Sequence, residues 1–158
     1  MYLDKRIITW QEFGDYSEKL AQLVIDGKGQ GIDIVIGIAR GGLPLSMVVS
    51  DRLRVPIDFI NIKSYKGIGL RESPQILSIL YENLSGKVTL LVDDIVDEGD
   101  TMKVAIEHIQ STFKPKQILT AALFTKPWSK FRPNFSVEVS SDWIVFPWEK
   151  NEFSAGGK

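Results

Sequence analysis

Five acidic side chains fall within eight positions in the stretch LLVDDIVDEGDT: Asp93, Asp94, Asp97, Glu98 and Asp100. They follow a run of Leu and Val that has the composition of a buried strand. Gly99 can take a positive φ without steric cost, and Thr101 opens a helical pattern. A turn of backbone N–H groups running into a helix N-terminus is an anion site, typically for phosphate. Carboxylates beside such a site serve other partners, either sugar hydroxyls or Mg2+. The stretch therefore points to a ligand that carries phosphate, polyol and metal together. The plainer reading is a polar strand end with a helix cap after it. It does not explain why Asp93, Asp94 and Asp97 are spaced to stay at one loop.

The elements that must position these groups can be read from the rest of the chain. Thr9 and Glu12 have the T-x-x-E form of a capping box. Phe13, Tyr16, Leu20, Leu23 and Val24 then recur at helical spacing, until the glycines of DGKGQG end the helix. IDIVIGIA, residues 32–39, is a continuous β-branched run that suits a strand buried on both faces. RGG follows, then a helical stretch from about Pro44 to Leu53, then a strand in PIDFINIKSY. Residues 66–74 carry GIG and Pro and read as a mobile loop. KVTLLVDD is a third buried strand. A helix from about Thr101 to Phe113 follows, with Met102, Ala105, Ile109 and Phe113 along one side. QILTAALFT is a fourth strand. The tail from Lys126 is rich in Trp, Phe and Pro, with short β-like pieces, FSVEV and WIVF. Strands alternating with helices predict an α/β fold with a parallel twisted sheet flanked by helices. In such sheets ligands sit beyond the carboxyl ends of the strands. The stretches ARGG, SYKGIGLR, DDIVDEGDT and TKPW all lie at those ends.

Composition narrows the class. The chain of 158 residues suits a single domain, and 44% hydrophobic residues suffice for a core. A net charge of −1 argues against general nucleic-acid binding. With no cysteine there is no disulfide, zinc thiolate site or cysteine nucleophile, and His108 is the sole histidine. His108 lies off the apolar stripe of its helix and is expected at the surface without a catalytic role. No signal peptide and no membrane-length apolar run is visible, so a cytoplasmic location is the expectation. No G-x-x-x-x-G-K-[ST] stretch is present, which excludes that type of nucleotide site. A response-regulator receiver is a closer mimic. However, only 31 residues separate Asp94 from Lys126, room for one helix and one strand rather than the receiver's longer spacing.

TLLVDDIVDEGDTM resembles the phosphoribosyl-pyrophosphate (PRPP) signature of type I phosphoribosyltransferases, in which an apolar strand is followed by two acids, two apolar residues and a phosphate loop. ARGGL resembles that family's pyrophosphate loop, IKSY the start of its flexible loop, FTKP its purine-contacting lysine, and DWIVFPWE its base-covering hood. RIITW is similar to the start of xanthine–guanine phosphoribosyltransferases. The resemblance spans nearly the whole chain and is nearest to the 6-oxopurine branch. It implies one domain over residues 1–158, with a small C-terminal hood at about 126–150.

The resemblance also implies roles. Asp93 and Asp94 would serve the ribose hydroxyls and Mg2+, and Asp97 would handle the proton facing N7 of the purine. Glu98, Gly99, Asp100 and Thr101 would hold the 5′-phosphate through backbone and hydroxyl groups. Arg40 and Gly41 would hold pyrophosphate, with a cis peptide between Ala39 and Arg40. Ser64, Tyr65 and Arg71 would close over PRPP. Lys126 would donate to the 6-oxo group, Trp143 would stack on the base, and the Ile144 backbone would meet the 2-position edge. Glu149 would stand near a second Mg2+. Trp10, Trp128 and Trp148 are expected to be packing residues. The implied activity is purine salvage: PRPP plus guanine, hypoxanthine or xanthine gives a nucleoside 5′-monophosphate and pyrophosphate, with Mg2+ as cofactor. The implied assembly is a homodimer or homotetramer. The rival is a PRPP- or nucleotide-sensing regulator with the same fold. Two residues depart from the family pattern: Glu98 stands where Thr is usual, and Asp100 where a small or basic residue is common. Both are expected to turn their carboxylates to solvent.

Overall fold

Capping and burial explain most element boundaries in this computed structural model, which describes residues 3–28, 31–63, 66–67, 70–71 and 74–151. The strands are β1 (Lys5–Ile7), β2 (Ile34–Ala39), β3 (Ile57–Lys63), β4 (Lys66–Gly67), β5 (Leu70–Arg71), β6 (Gln75–Ile76), β7 (Val88–Val96), β8 (Gln117–Thr125), β9 (Phe135–Val139) and β10 (Trp143–Val145). The helices are α1 (Trp10–Lys28), α2 (Gly42–Leu53) and α3 (Asp100–Phe113), and a short 3-10 turn spans Pro147–Glu149. The capping box starts α1. Glu12 N–H donates to Thr9 Oγ1 at 3.1 Å, and Thr9 N–H donates to Glu12 Oε2 at 2.7 Å. The helix continues past Gly27 to Lys28.

The central sheet has the order β6-β3-β2-β7-β8-β9, parallel throughout except for β6 against β3. β2 and β7 are buried over nearly their whole length, as strands covered on both faces must be. One core lies on the α1 and α2 side, built from Phe13, Leu20, Val24, Leu45, Val49, Val35, Leu90 and Val92. The other holds Ile34, Ile36, Ile38 and Leu91 against Met102, Ala105 and Ile109 of α3. The chain runs from β2 outward to β3, and from β7 outward to β8. The order therefore reverses between β2 and β7, which is where a parallel sheet opens a crevice for ligands. Among the described residues no helix is long and apolar enough to cross a membrane.

Four features differ from the sequence reading. β7 does not stop at the acidic pair. It pairs with β8 as far as Val96↔Thr125, so the strand runs two residues beyond KVTLLVDD and takes in Ile95 and Val96. Part of the loop at residues 66–74 is ordered pairing, since β4 and β5 run antiparallel to each other. Within the expected hood, FSVEV is β9, the edge strand of the main sheet, whereas WIV is β10, paired in parallel with β1. His108 is half-buried rather than exposed, with its ring edge-on to Phe113 at 5.9 Å.

Candidate active site

The crevice between β2 and β7 is lined by two strand ends that touch. The peptide between Ala39 and Arg40 is cis, as the resemblance implies. The chain then enters α2 through Gly41 and Gly42, and both glycines are there for close approach. A Cβ on Gly41 would overlap the Asp94 carboxylate, and one on Gly42 would lie 2.6 Å from the Val92 carbonyl oxygen. The backbone of the Arg-Gly-Gly turn thus rests directly on the acidic pair, with the Arg40 side chain exposed above it.

Asp94 is buried and Asp93 half-buried. Asp93 Oδ1 accepts the N–H of Asp94 at 2.9 Å, and Asp94 Oδ1 accepts the N–H of Ile95 at 2.7 Å. Among the described residues no lysine or arginine forms an ion pair with either. Burial, reinforced by the Asp94 charge, pushes the Asp93 carboxyl well above the usual carboxylate range. Burial also moves Asp94 from 3.8 to about 6, against hydrogen bonding to Asp93 and with help from the charge of Glu149. Glu149, whose Oε2 accepts the Phe146 N–H at 2.9 Å, is therefore electrostatically coupled to the pair. Two carboxylates held out of water with no neutralising cation form a donor set that fits a hard divalent ion. Mg2+ takes one or two carboxylates and completes its shell with water and substrate oxygens. Among the described residues no cluster of three or more His, Cys, Asp or Glu makes an all-protein cage.

The turn from β7 into α3 comes next. Gly99 has φ 98°, a conformation that L side chains rarely adopt, and it is the N-cap of α3. Its missing Cβ also makes room for Phe131, which such an atom would overlap. Glu98 and Asp100 are exposed, as expected for carboxylates that do not face an anion, and Thr101 is half-buried.

The register of β7 against β8 sets the third part of the site. Val96 lies opposite Thr125, and the Lys126 N–H donates to the Val96 carbonyl at 2.9 Å. The residues that follow these two strand ends, Asp97 and Lys126, are therefore neighbours. Lys126 is 1% exposed, unusual for a lysine. Its ammonium donates to the Asp142 carbonyl and lies 5.7 Å from the centre of the Trp128 ring. Burial lowers its pKa, with Asp97 and Asp142 pulling the other way. Trp143 is 36% exposed and Ile144 beside it is buried.

Trp128 does not pack as expected from the sequence. Its indole N–H donates to Asp97 Oδ1 at 2.8 Å. A tryptophan two residues after a strand-end lysine, in a Pro-containing turn, is the signal that could have found it. Trp148 does pack, stacked on Phe146 and edge-on to Phe13, whereas Trp10 reaches the same group at 6.2 Å but stays 63% exposed. Ser64 and Tyr65 lie outside the described residues. Arg71 is placed only by its backbone, in β5.

Residues 5–151 match the model of the phosphoribosyl transferase domain. The chain belongs to the phosphoribosyltransferase family. It is 32% identical over 152 residues to a xanthine-guanine phosphoribosyltransferase of Cereibacter sphaeroides, an alignment that covers 90% of this chain and 85% of that one. Its structure is similar to that of a purine phosphoribosyltransferase from Pyrococcus horikoshii, with a TM-score of 0.84, 36% identity and 99% of each chain covered. The Helicobacter pylori xanthine-guanine-hypoxanthine phosphoribosyltransferase superposes with a TM-score of 0.80 at 25% identity, covering 95% of this chain and 99% of that one. The sheet flanked by helices is thus that of a type I phosphoribosyltransferase, an enzyme family that uses PRPP.

Proposed function

We propose that this phosphoribosyltransferase transfers the 5-phosphoribosyl group of PRPP to N9 of a 6-oxopurine, giving pyrophosphate and a nucleoside 5′-monophosphate in purine salvage. The observation that carries the choice of base is the buried Lys126 beside Asp97. A buried ammonium next to a carboxylate matches the adjacent O6 acceptor and N7–H donor of a 6-oxopurine. A 6-amino group would bring a donor to a donor, a mismatch that can discriminate by ~10⁴-fold. The xanthine-guanine and purine specificities of the relatives lend independent support.

The residues then act as follows. The backbone of residues 98–101 and the Thr101 hydroxyl hold the 5′-phosphate at the start of α3. Asp93 and Asp94 take the ribose hydroxyls and, with Glu149 nearby, would hold Mg2+. When bound, Mg2+ neutralises charge on the pyrophosphate leaving group. Arg40 and the Gly41 N–H stabilise that group from the cis-peptide side as the ribosyl centre becomes cationic. Trp143 stacks on the base, worth ~1–3 kcal/mol by analogy with base stacking elsewhere. The Ile144 backbone meets the 2-position edge. Lys126 donates to O6, and Asp97 accepts the N7 proton while N9 bonds to the ribose. Ser64, Tyr65 and Arg71 belong to the segment proposed to cover PRPP and exclude water.

The test is a panel assay of guanine, hypoxanthine, xanthine, adenine and uracil with Mg-PRPP. Turnover of one or more 6-oxopurines, with adenine and uracil inert, is the expected result. Turnover of adenine alone would sink the argument from Lys126. No turnover with any base, together with tight PRPP or nucleotide binding, would replace the enzyme with the sensor reading.

A further inference from the structure

We propose that Trp128 is a positioning residue for the transfer: its indole N–H and ring face hold the Asp97 carboxylate and the Lys126 ammonium in place for N7 and O6 of one purine. The proposal rests on the 6-oxopurine reading and goes beyond it, since Trp128 lies outside the substrate-contacting set.

Three observations support it. The indole N–H donates to Asp97 Oδ1 at 2.8 Å, which restricts rotation of the carboxylate about its own axis. The same ring lies beneath the Lys126 ammonium, 5.7 Å from its centre, within the range of a cation–π contact. One rigid side chain therefore touches both polar groups that address the purine edge. The turn that carries Trp128 is itself immobilised. Ser129 N–H donates to the Lys126 carbonyl at 3.0 Å. The Arg132 guanidinium donates to the same carbonyl at 2.9 Å and to that of Pro127 at 3.0 Å. Ser129 Oγ donates to the Phe131 carbonyl at 2.9 Å. Phe131 in turn fills the space left by Gly99, so the turn is keyed against the phosphate loop as well. An error of about 1 Å between reacting groups can cost ~10²-fold in rate, and a tether of this kind prevents such errors.

The experiment compares wild type, Trp128→Phe, which keeps a ring but lacks the donor, and Trp128→Ala, which lacks both, in steady-state kinetics with guanine or hypoxanthine. Trp128→Phe is expected to lower kcat by ~10- to 100-fold while the KM for PRPP stays within about twofold. Trp128→Ala is expected to raise the KM for the base as well. In an Asp97→Asn background, Trp128→Phe should change kcat by less than about twofold, because the bond it removes already serves no proton acceptor. A merely structural tryptophan predicts additive losses in that cycle. Unchanged kcat in Trp128→Phe, or full additivity with Asp97→Asn, overturns the proposal. If Trp128→Phe does not fold, replacing Trp128 with benzothienylalanine keeps the shape, removes the N–H and faces the same two criteria. A wild-type chain that turns over no base brings down the 6-oxopurine reading and this inference together.

Discussion

Two sets of charges are held partly or wholly out of water in this molecule, and they are treated in opposite ways. At the edge of the sheet, Arg6 of β1 meets Glu138 of β9 at 2.6 Å, and Tyr16 of α1 donates to the other Glu138 oxygen at 2.6 Å. Arg6 also donates to the Tyr16 hydroxyl and lies over the Tyr16 and Phe124 rings. Every charge in this clasp is answered. In the crevice, Asp93 and Asp94 are more deeply placed and have no cation among the described residues. The clasp joins the two-stranded β1–β10 sheet to the main sheet and so fixes where Trp143 and Ile144 stand. The acidic pair joins nothing. A fold keeps paired charge for architecture, and it keeps unpaired buried charge where a ligand is to bring the counter-charge.

The contrast can be broken in several places. The largest effect is expected when both crevice acids are removed. Asp93→Asn with Asp94→Asn should lower kcat/KM for PRPP by ~10³-fold or more, since a metal-held leaving group is worth several kcal/mol. The same variant should melt at a higher temperature than wild type in a chelating buffer. Melting several degrees lower would mean that the acids are structural after all.

Next is the stability of the metal-free chain against pH. A carboxyl raised from 3.8 to about 6 carries roughly 3 kcal/mol of unfavourable charge burial at neutral pH. Because the folded-state value is the higher one, this group's contribution is fully present below 3.8 and is lost as pH rises through about 6. Urea melts in chelator should therefore show Asp94→Asn gaining on wild type from acid to neutral pH. A gap that does not change with pH would show that Asp94 carries no burial cost.

The clasp should behave in the opposite sense and more weakly. Arg6→Met is expected to cost about 1 kcal/mol, since both charged partners remain about a third exposed and water screens them. It should also raise the KM for the base, which β10 positions, without changing that for PRPP. Equal changes in both constants would show that the clasp does not act through β10. Burial pushes the Glu138 carboxyl up, but the bonds from Tyr16 and Arg6 outweigh it and hold the group below its ordinary 4.5. Its stabilising contribution is thus present above 4.5 and disappears as pH falls below it. Glu138→Gln should accordingly cost more stability at pH 7 than in acid, read by the same melts.

The smallest effect is expected at Asp100. It is exposed, so Asp100→Gly should change the KM for PRPP by less than about threefold, the range of a screened surface charge. A large tightening would show that its carboxylate does face the phosphate.

Much of the fold was legible in the chain because its signals are local. The capping box at Thr9, the β-branched run of β2 and the apolar stripe of α3 depend on neighbours in sequence. QILTAALFT was bounded correctly for the same reason. The length of β7 was not legible, because Ile95 and Val96 extend the strand only by pairing with Phe124 and Thr125 of β8. Likewise FSVEV looked like part of a hood, and only its pairing with β8 makes it the sheet's edge. The site divides in the same way. The acids and the glycine of one loop can be read locally, and from them comes the expectation of a ligand with phosphate, polyol and metal. Nothing in the spacing shows that Trp128 bonds to Asp97, since the two are brought together by a register.

The sequence by itself determined the chemistry available: five acids around one turn, Arg-Gly-Gly after a buried strand, and a single lysine after another. Those are covalent facts, and each residue type limits what its position can do. Only the tertiary structure decided which of these groups share an environment. Burial raises the proton affinity of Asp93 and Asp94 but leaves Glu98 and Asp100 in water, although all four lie in one short stretch. Desolvation depends on what packs around a group, and here that is Gly41 from β2's end and the elements on either face of the sheet, all distant in the chain.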